Sequence, residues 1–217
     1  MKIAANVLVA MATVDGRVAA EAVAMLVGAG DGDSAPRFAA AIDAERAPGR
    51  NALVSAFHAD PAGTHLWLVD PDLVLPRDAL RRLLAHGRDV VALPVALPGA
   101  TVSGEPRFDL GPLVGEDGAL FVHERASAAA MLLSRAAVDA LVDDAKRDGR
   151  VYAADVPLVG SDGVAATAVH YECFRPQARD GAWLADDVPA CAALRRAGFA
   201  THVDATIVAH RRACAVG

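Results

Sequence analysis

His65-Leu66-Trp67-Leu68-Val69 is an almost unbroken apolar run that ends at Asp70-Pro71-Asp72. A strand apolar at successive positions is buried on both faces, the condition inside a parallel sheet covered by helices. An α/β architecture follows, and open sheets of that kind bind ligands in the crevice beyond the carboxyl ends of their strands. Asp70 and Asp72 stand at that end. Residues two apart on an extended chain point the same way, so both carboxylates can reach one cation. A hard divalent ion such as Mg²⁺ takes carboxylate oxygens and completes its shell with water and substrate phosphate. The pair therefore predicts a site that holds a metal against a phosphorylated ligand.

Composition narrows the class. The 217 residues suffice for one large domain, 1–217, with a core of its own. A hydrophobic share of 54% against 22% charged residues excludes a disordered chain. The net charge of −6 offers no attraction to nucleic acid or to an anionic membrane. Cys173, Cys191 and Cys214 are odd in number and lack metal-ligand spacing, which implies a reducing compartment without a disulfide framework. The apolar stretch 3–14 contains Asn6 and is too short to span a bilayer, so it reads as a buried first strand. The expectation is a cytoplasmic protein with no transmembrane segment.

Strand and helix alternate along the chain. Residues 3–11 predict a strand, and Thr13-Val14-Asp15-Gly16 a turn into a helix over 18–27. Periodicity leaves 35–42 open between strand and helix, and the alternation selects strand. Leu53, Val54 and Phe57 recur at helical spacing over 51–57. Leu80, Leu83 and Leu84 make 77–86 an amphipathic helix stopped by Gly87. Residues 89–93 read as the next strand. The Pro- and Gly-rich stretch 94–118 is too long for a structureless loop and predicts a working loop or a small hairpin. A strand over 129–133 leads to Ser134, which caps a helix reaching about Lys146. Residues 148–163 look irregular, 164–174 form a strand, 186–197 a helix closed by Gly198, and 199–209 the last strand.

Two further segments carry chemistry. Asp186-Asp187 precede Val188-Pro189 at a helix start. Asp is a preferred N-cap and acids favour the first turn, so both can be helix starters, or one can be a general base facing the crevice. Spacing does not choose. His210 follows Ile207-Val208-Ala209, either as a surface residue or as an imidazole ligand of a transition metal. Arg211-Arg212 are open between a diphosphate contact and solvation, and Trp183 between stacking on a sugar and core packing. Trp67 points away from Asp70 and reads as core.

In this order, the apolar strand, Asp70-Pro71-Asp72, an acidic pair opening a helix that ends Arg195-Arg196-Ala197-Gly198-Phe199, and a strand ending in His210 resemble the GT-A nucleotide-sugar glycosyltransferases. The likeness is to the small bacterial and phage type of the inverting family 2 kind. Arg50-Asn51-Ala52-Leu53-Val54 with Phe57 is similar to the helix before that family's metal strand. Asp89-Val90-Val91-Ala92-Leu93-Pro94 resembles the strand after it, and Ala129-Ala130-Met131-Leu132-Leu133-Ser134-Arg135 the strand entering the acceptor-side helix.

The resemblance implies a GT-A fold, with a Rossmann-like, mostly parallel central sheet flanked by helices. It implies Mn²⁺ or Mg²⁺ held by Asp70, Asp72 and His210, beside the donor's diphosphate and ribose. It makes Asp187 the base that deprotonates the acceptor, with Asp186 in place of the usual Glu. Thr13 and Asp15 fall where the first loop meets the nucleotide base, and Arg50 where a basic residue lies near the nucleotide. The implied reaction moves a sugar from a UDP- or GDP-sugar to a hydroxyl of a saccharide, lipid or protein; inversion rests on the acidic pair alone, and retention stays open. Glu124-Arg125-Ala126-Ser127-Ala128-Ala129 stands where the family has a Gly-rich turn beside the donor sugar. Two other functions compete: a non-catalytic GT-A-like domain that binds a nucleotide sugar, and a haloacid-dehalogenase-type phosphatase. The latter also places Asp-x-Asp after a strand, but here Leu73-Val74 follow in place of the expected Thr.

Overall fold

The computed structural model describes residues 5–28, 35–102, 105–161 and 164–212. Residues 3 and 4 of the first predicted strand and Cys214 lie outside them. Strands β1 (Val7–Ala12), β2 (Arg37–Ala41) and β3 (His65–Val69) alternate with helices α1 (Ala20–Gly28) and α2 (Arg46–Ala59). After β3 come the short β4 (Leu73–Val74), helix α3 (Ala79–Ala85) and β5 (Val90–Ala92). The Pro- and Gly-rich stretch folds as a hairpin of β6 (Ala96–Val102) and β7 (Glu105–Phe108), and β8 (Leu113–Asp117) pairs with β9 (Leu120–His123). Strand β10 (Ala130–Ser134) enters α4 (Arg135–Arg147), as expected, with Ser134 Oγ accepting from the Ala137 N–H at 3.2 Å. Short strands β11 (Val151–Ala153), β12 (Leu158–Gly160), β13 (Val169–Tyr171), β14 (Gln177–Arg179) and β15 (Ala182–Leu184) precede α5 (Asp187–Arg196). The last elements are β16 (Thr201–Val203) and β17 (His210–Arg211).

Among the described residues, nine strands form the main sheet in the order β12-β2-β1-β3-β10-β5-β16-β9-β8. It is mixed, and the expectation of a mostly parallel sheet is corrected. The pairs β1–β2, β1–β3 and β5–β16 are parallel, whereas β10 runs antiparallel between β3 and β5. Residues 129–133 could not reveal this, because an apolar strand buried on both faces has the same pattern in either direction.

Helices cover both faces, a Rossmann-like layering. On β3, Leu66 and Leu68 join a core with Leu53 and Phe57 of α2, Leu141 of α4 and Leu194 of α5. Trp67 and Val69 face the other way, into a second core with Leu80 and Leu83 of α3. This alternation is the doubly buried strand that the apolar run requires. Gly87 (φ +60°) and Gly198 (φ +91°) follow α3 and α5 in the left-handed conformation that ends helices.

Three predicted elements are redrawn. The irregular stretch 148–163 supplies β12, an antiparallel edge strand on β2. The strand predicted over 164–174 shrinks to β13, which pairs with β11 outside the main sheet. The last strand breaks after Val203, where the Asp204 side chain accepts from the Thr206 N–H at 2.9 Å and turns the chain. It resumes as β17, antiparallel to β4.

Helix α2 lies unusually close to the sheet. A Cβ built on Gly49 would sit 2.7 Å from Ala12 Cβ and 3.4 Å from Ala41 Cβ. Gly49→Val is expected to push the helix off β1 and cost about 1–3 kcal/mol, read as a lowered midpoint of thermal unfolding. An unchanged midpoint would show that the close approach is not needed.

Candidate functional site

The ends of β1 and β3 and the start of α2 border a cleft of about 900 Å³. Its walls include Thr13, Asp15, Arg46, Asp70, Asp72 and Arg212. Four of the predicted site residues, Thr13, Asp15, Asp70 and Asp72, therefore share one concavity. Thr13 Oγ1 donates to Asp15 Oδ1 at 3.2 Å, and the Arg17 N–H donates to the same oxygen at 3.0 Å. The backbone bond from Arg17 is the main reason that the Asp15 carboxyl is held below its usual range.

Asp70-Pro71-Asp72 forms a turn at the end of β3. The Leu73 N–H donates to the Asp70 carbonyl at 3.3 Å, and Pro71 occupies the second position, where a fixed φ fits. The Pro71 carbonyl accepts from the Ala19 N–H at 2.8 Å and ties the turn to the residue before α1. Asp70 is buried and Asp72 half-exposed. Burial alone would push the Asp70 carboxyl up, but Arg50, Arg46 and Arg211 outweigh it and hold it low.

Arg50 does not line the cleft. It is buried, with Nη2 donating to Asp70 Oδ1 and Nη1 to Asp186 Oδ2, both at 2.7 Å. Its donors face the protein, so the expectation that it lies against the nucleotide gives way to a bridge between the two acidic motifs. Arg46, one helical turn earlier, reaches Asp70 Oδ2 at 3.6 Å from the cleft side. The i, i+4 spacing of these arginines at the start of a helix was the available signal for Arg46.

The final ribbon brings Arg211 to the acids, with His210 beside it. Arg211 pairs with Leu73 across the ribbon, directly after the Asp-Pro-Asp turn. Its Nη1 donates to Asp72 Oδ1 and Oδ2 at 2.7 and 2.9 Å, and its Nη2 to Asp70 Oδ2 at 2.9 Å. Neighbouring residues on a strand point to opposite sides, so with Arg211 facing the acids His210 is exposed and turned from them. The predicted trio of Asp70, Asp72 and His210 is not brought together. Among the described residues, no three His, Cys, Asp or Glu side chains gather closely enough to hold a metal ion.

The acidic pair starts α5 without capping it. Asp186 makes no side-chain cap bond and spends its carboxylate on Arg50. Asp187 is buried, with Oδ2 accepting from the Ala128 N–H and Oδ1 facing Arg125 Nη1, both at 3.4 Å. Burial pushes the Asp187 carboxyl up, and Arg125 only partly opposes it. Arg125 pairs more closely with Asp109, at 2.8 Å, a partner that no motif revealed. In the segment replacing a Gly-rich turn, Ala126, Ser127, Ala128 and Ala129 are all buried. Trp183 is 73% exposed on β15, which excludes the core reading for it.

No protein-family model and no curated protein matches the chain. Among solved structures it is similar to A197 from STIV, with a TM-score of 0.54 at 11% identity, covering 95% of this chain and 85% of that one. At that identity the likeness shows the fold alone.

The two buried acids should answer opposite stability questions. Asp70→Asn leaves the buried Arg50 half-paired and is expected to cost on the order of 3–5 kcal/mol at pH 7. The folded-state pKa of Asp70 is depressed, so its stabilisation is present above ~3.9 and is lost as pH falls through the folded value. The deficit of the variant should therefore shrink in acid. The Asp187 pKa is raised, so stability falls as pH rises from the unfolded value of ~3.9, and the cost is complete above the folded value. Asp187→Asn should leave stability at pH 7 unchanged or higher. Urea unfolding of the three proteins from pH 3 to 7 checks both signs.

Proposed function

We propose that the chain is a GT-A-type glycosyltransferase that moves a sugar from a nucleoside-diphosphate sugar to a hydroxyl acceptor. The observation that carries this reading is the Arg50 bridge: one guanidinium holds Asp70 of the strand-end motif and Asp186 of the helix-start motif at 2.7 Å each. Motifs far apart in sequence thus become neighbours, with a cleft on one side and a buried carboxylate, Asp187, next along the chain.

The chemistry fits what transfer needs. A leaving diphosphate gathers negative charge, and preorganised cations stabilise it; Arg46 and Arg212 stand on the cleft wall for that role. Thr13 and Asp15 offer hydroxyl and carboxylate groups to a nucleotide base. Asp187 takes the proton of the acceptor hydroxyl. Its raised pKa makes the carboxylate a stronger base at working pH. Asp70 would make a poor phosphatase nucleophile, since guanidinium donors occupy both its oxygens. The free, buried thiols of Cys173 and Cys191 suit the reducing cytoplasm that this reading implies. No helix among the described residues is long and apolar enough to cross a membrane.

One observation favours a second reading, a domain that binds the nucleotide sugar without transferring it. Asp187 is 3% exposed and shares Arg125 with Asp109, so an acceptor must open this contact to reach it.

Thermal unfolding with UDP, GDP and their sugar conjugates tests the donor site. A ligand at about 100 times its Kd should stabilise the fold by roughly 2.7 kcal/mol. Stabilisation by one nucleotide series, weakened in Arg46→Ala and Arg212→Ala, is the expected result. Asp187→Asn should keep that stabilisation and lose about 10²–10⁴-fold in sugar transfer. Binding by the native chain with no turnover would favour the second reading. No binding of any nucleotide would overturn both.

A further inference from the structure

We propose that Arg211, seated on the two acids behind this cleft, takes the place of a divalent cation, so that a nucleoside diphosphate binds without metal. The inference rests on the donor-site reading above and departs from the Mn²⁺ or Mg²⁺ that the resemblance implies.

The Asp-Pro-Asp residues as they stand do not fit a divalent ion. Asp70 spends Oδ1 on Arg50 and Oδ2 on Arg211, and both oxygens of Asp72 accept from Arg211 Nη1. An ion on Asp70 would also sit among three guanidiniums, those of Arg50 at 2.7 Å, Arg211 at 2.9 Å and Arg46 at 3.6 Å from its oxygens. Like charges so close in a partly buried site repel strongly. The third expected ligand, His210, is exposed and turned away.

Arg211 meets the geometric demand that a metal would otherwise meet. A planar guanidinium offers a rigid fork of donors that fits carboxylates and stays charged at any working pH. Here the fork spans the two acids, and the β4–β17 ribbon fixes its register opposite Leu73. Burial alone would lower its pKa, but the ion pairs with Asp70 and Asp72 outweigh burial and keep it above the ordinary arginine value. With Arg50 and Arg211 offsetting the acids from behind, Arg46 and Arg212 on the cleft wall turn from their looser partners, Asp70 and Glu21, each at 3.6 Å, to meet the oxygens of a diphosphate. Arg212 is set there by its backbone N–H, which donates to the Asp72 carbonyl at 2.8 Å. The ligand class is a nucleoside diphosphate or its sugar conjugate, recognised by guanidinium alone.

Mn²⁺ alone is the first probe, titrated by calorimetry into the native chain and into Arg211→Ala, each checked for folding by circular dichroism. Removing the guanidinium frees the carboxylates, so the variant should bind Mn²⁺ at least tenfold more tightly than the native chain. Equal or tighter binding by the native chain, down to no binding by either, overturns the proposal. Arg211→Gln, which keeps a hydrogen-bonding amide but no charge, gives the same comparison if the alanine variant fails to fold. In a second arm, the stabilisation of the native chain by UDP or GDP is compared in EDTA and in Mn²⁺. Equal stabilisation is expected; stabilisation that needs Mn²⁺ overturns the role of Arg211 and leaves the donor site standing. Absence of nucleotide binding in both media defeats the donor site, and the Mn²⁺ titration still decides Arg211.

Discussion

The guanidinium of Arg50 is the point on which the rest of the site depends. It is 3% exposed and joined to two carboxylates from separate elements, Asp70 at the end of β3 and Asp186 at the start of α5. Burying three charges is costly unless each finds close partners of opposite sign, and here the geometry supplies them. Helix α2 brings Arg50 to that point because Gly49 lets its first turn lie against Ala12 and Ala41. A residue without a side chain thus decides where the charged one goes. The bridge in turn fixes how far the cleft lies from the second acidic motif.

The charges around Asp70 and Asp72 are close to balanced within the protein itself. Arg50, Arg46 and Arg211 contact Asp70, and Arg211 alone closes on Asp72. Three acids (Asp15, Asp70, Asp72) and three arginines (Arg17, Arg46, Arg212) line the cleft, with Arg46 3.6 Å from Asp70 and Arg212 3.6 Å from Glu21. This differs from what two bare carboxylates at a strand end would present. On the proposed reading, the same acids are compatible with an anionic ligand only because arginines from α2 and the final ribbon reach them.

Much of this was legible in the chain, for definable reasons. The strand His65–Val69 was readable because burial on both faces leaves no polar position, and the core divides Leu66 and Leu68 from Trp67 and Val69 as that requires. The strand-end acids and the first loop were readable as neighbours because strand ends in an α/β sheet collect on one side. The direction of β10 was not readable, since apolar patterning carries no polarity. Neither was the break at Asp204, where a side-chain turn interrupts an apolar stretch that otherwise continues through Ile207 and Ala209. That break decides which of two adjacent residues faces the acids. A one-residue change in register exchanges His210 for Arg211, and no periodicity in so short a segment could fix it.

Asp186 and Asp187 show how far environment separates identical neighbours. Asp186 meets Arg50 at 2.7 Å through Oδ2. Asp187, one residue on, finds Arg125 and the Ala128 N–H only at 3.4 Å, and burial raises its pKa. The first is tied to a buried guanidinium, and the second is one that the fold would hold more easily as the neutral acid. Groups kept charged against such a penalty are candidates for chemistry rather than for stability. Between the two acids, the fold thus gives Asp186 to Arg50 and leaves Asp187, the proposed base, where burial raises its proton affinity.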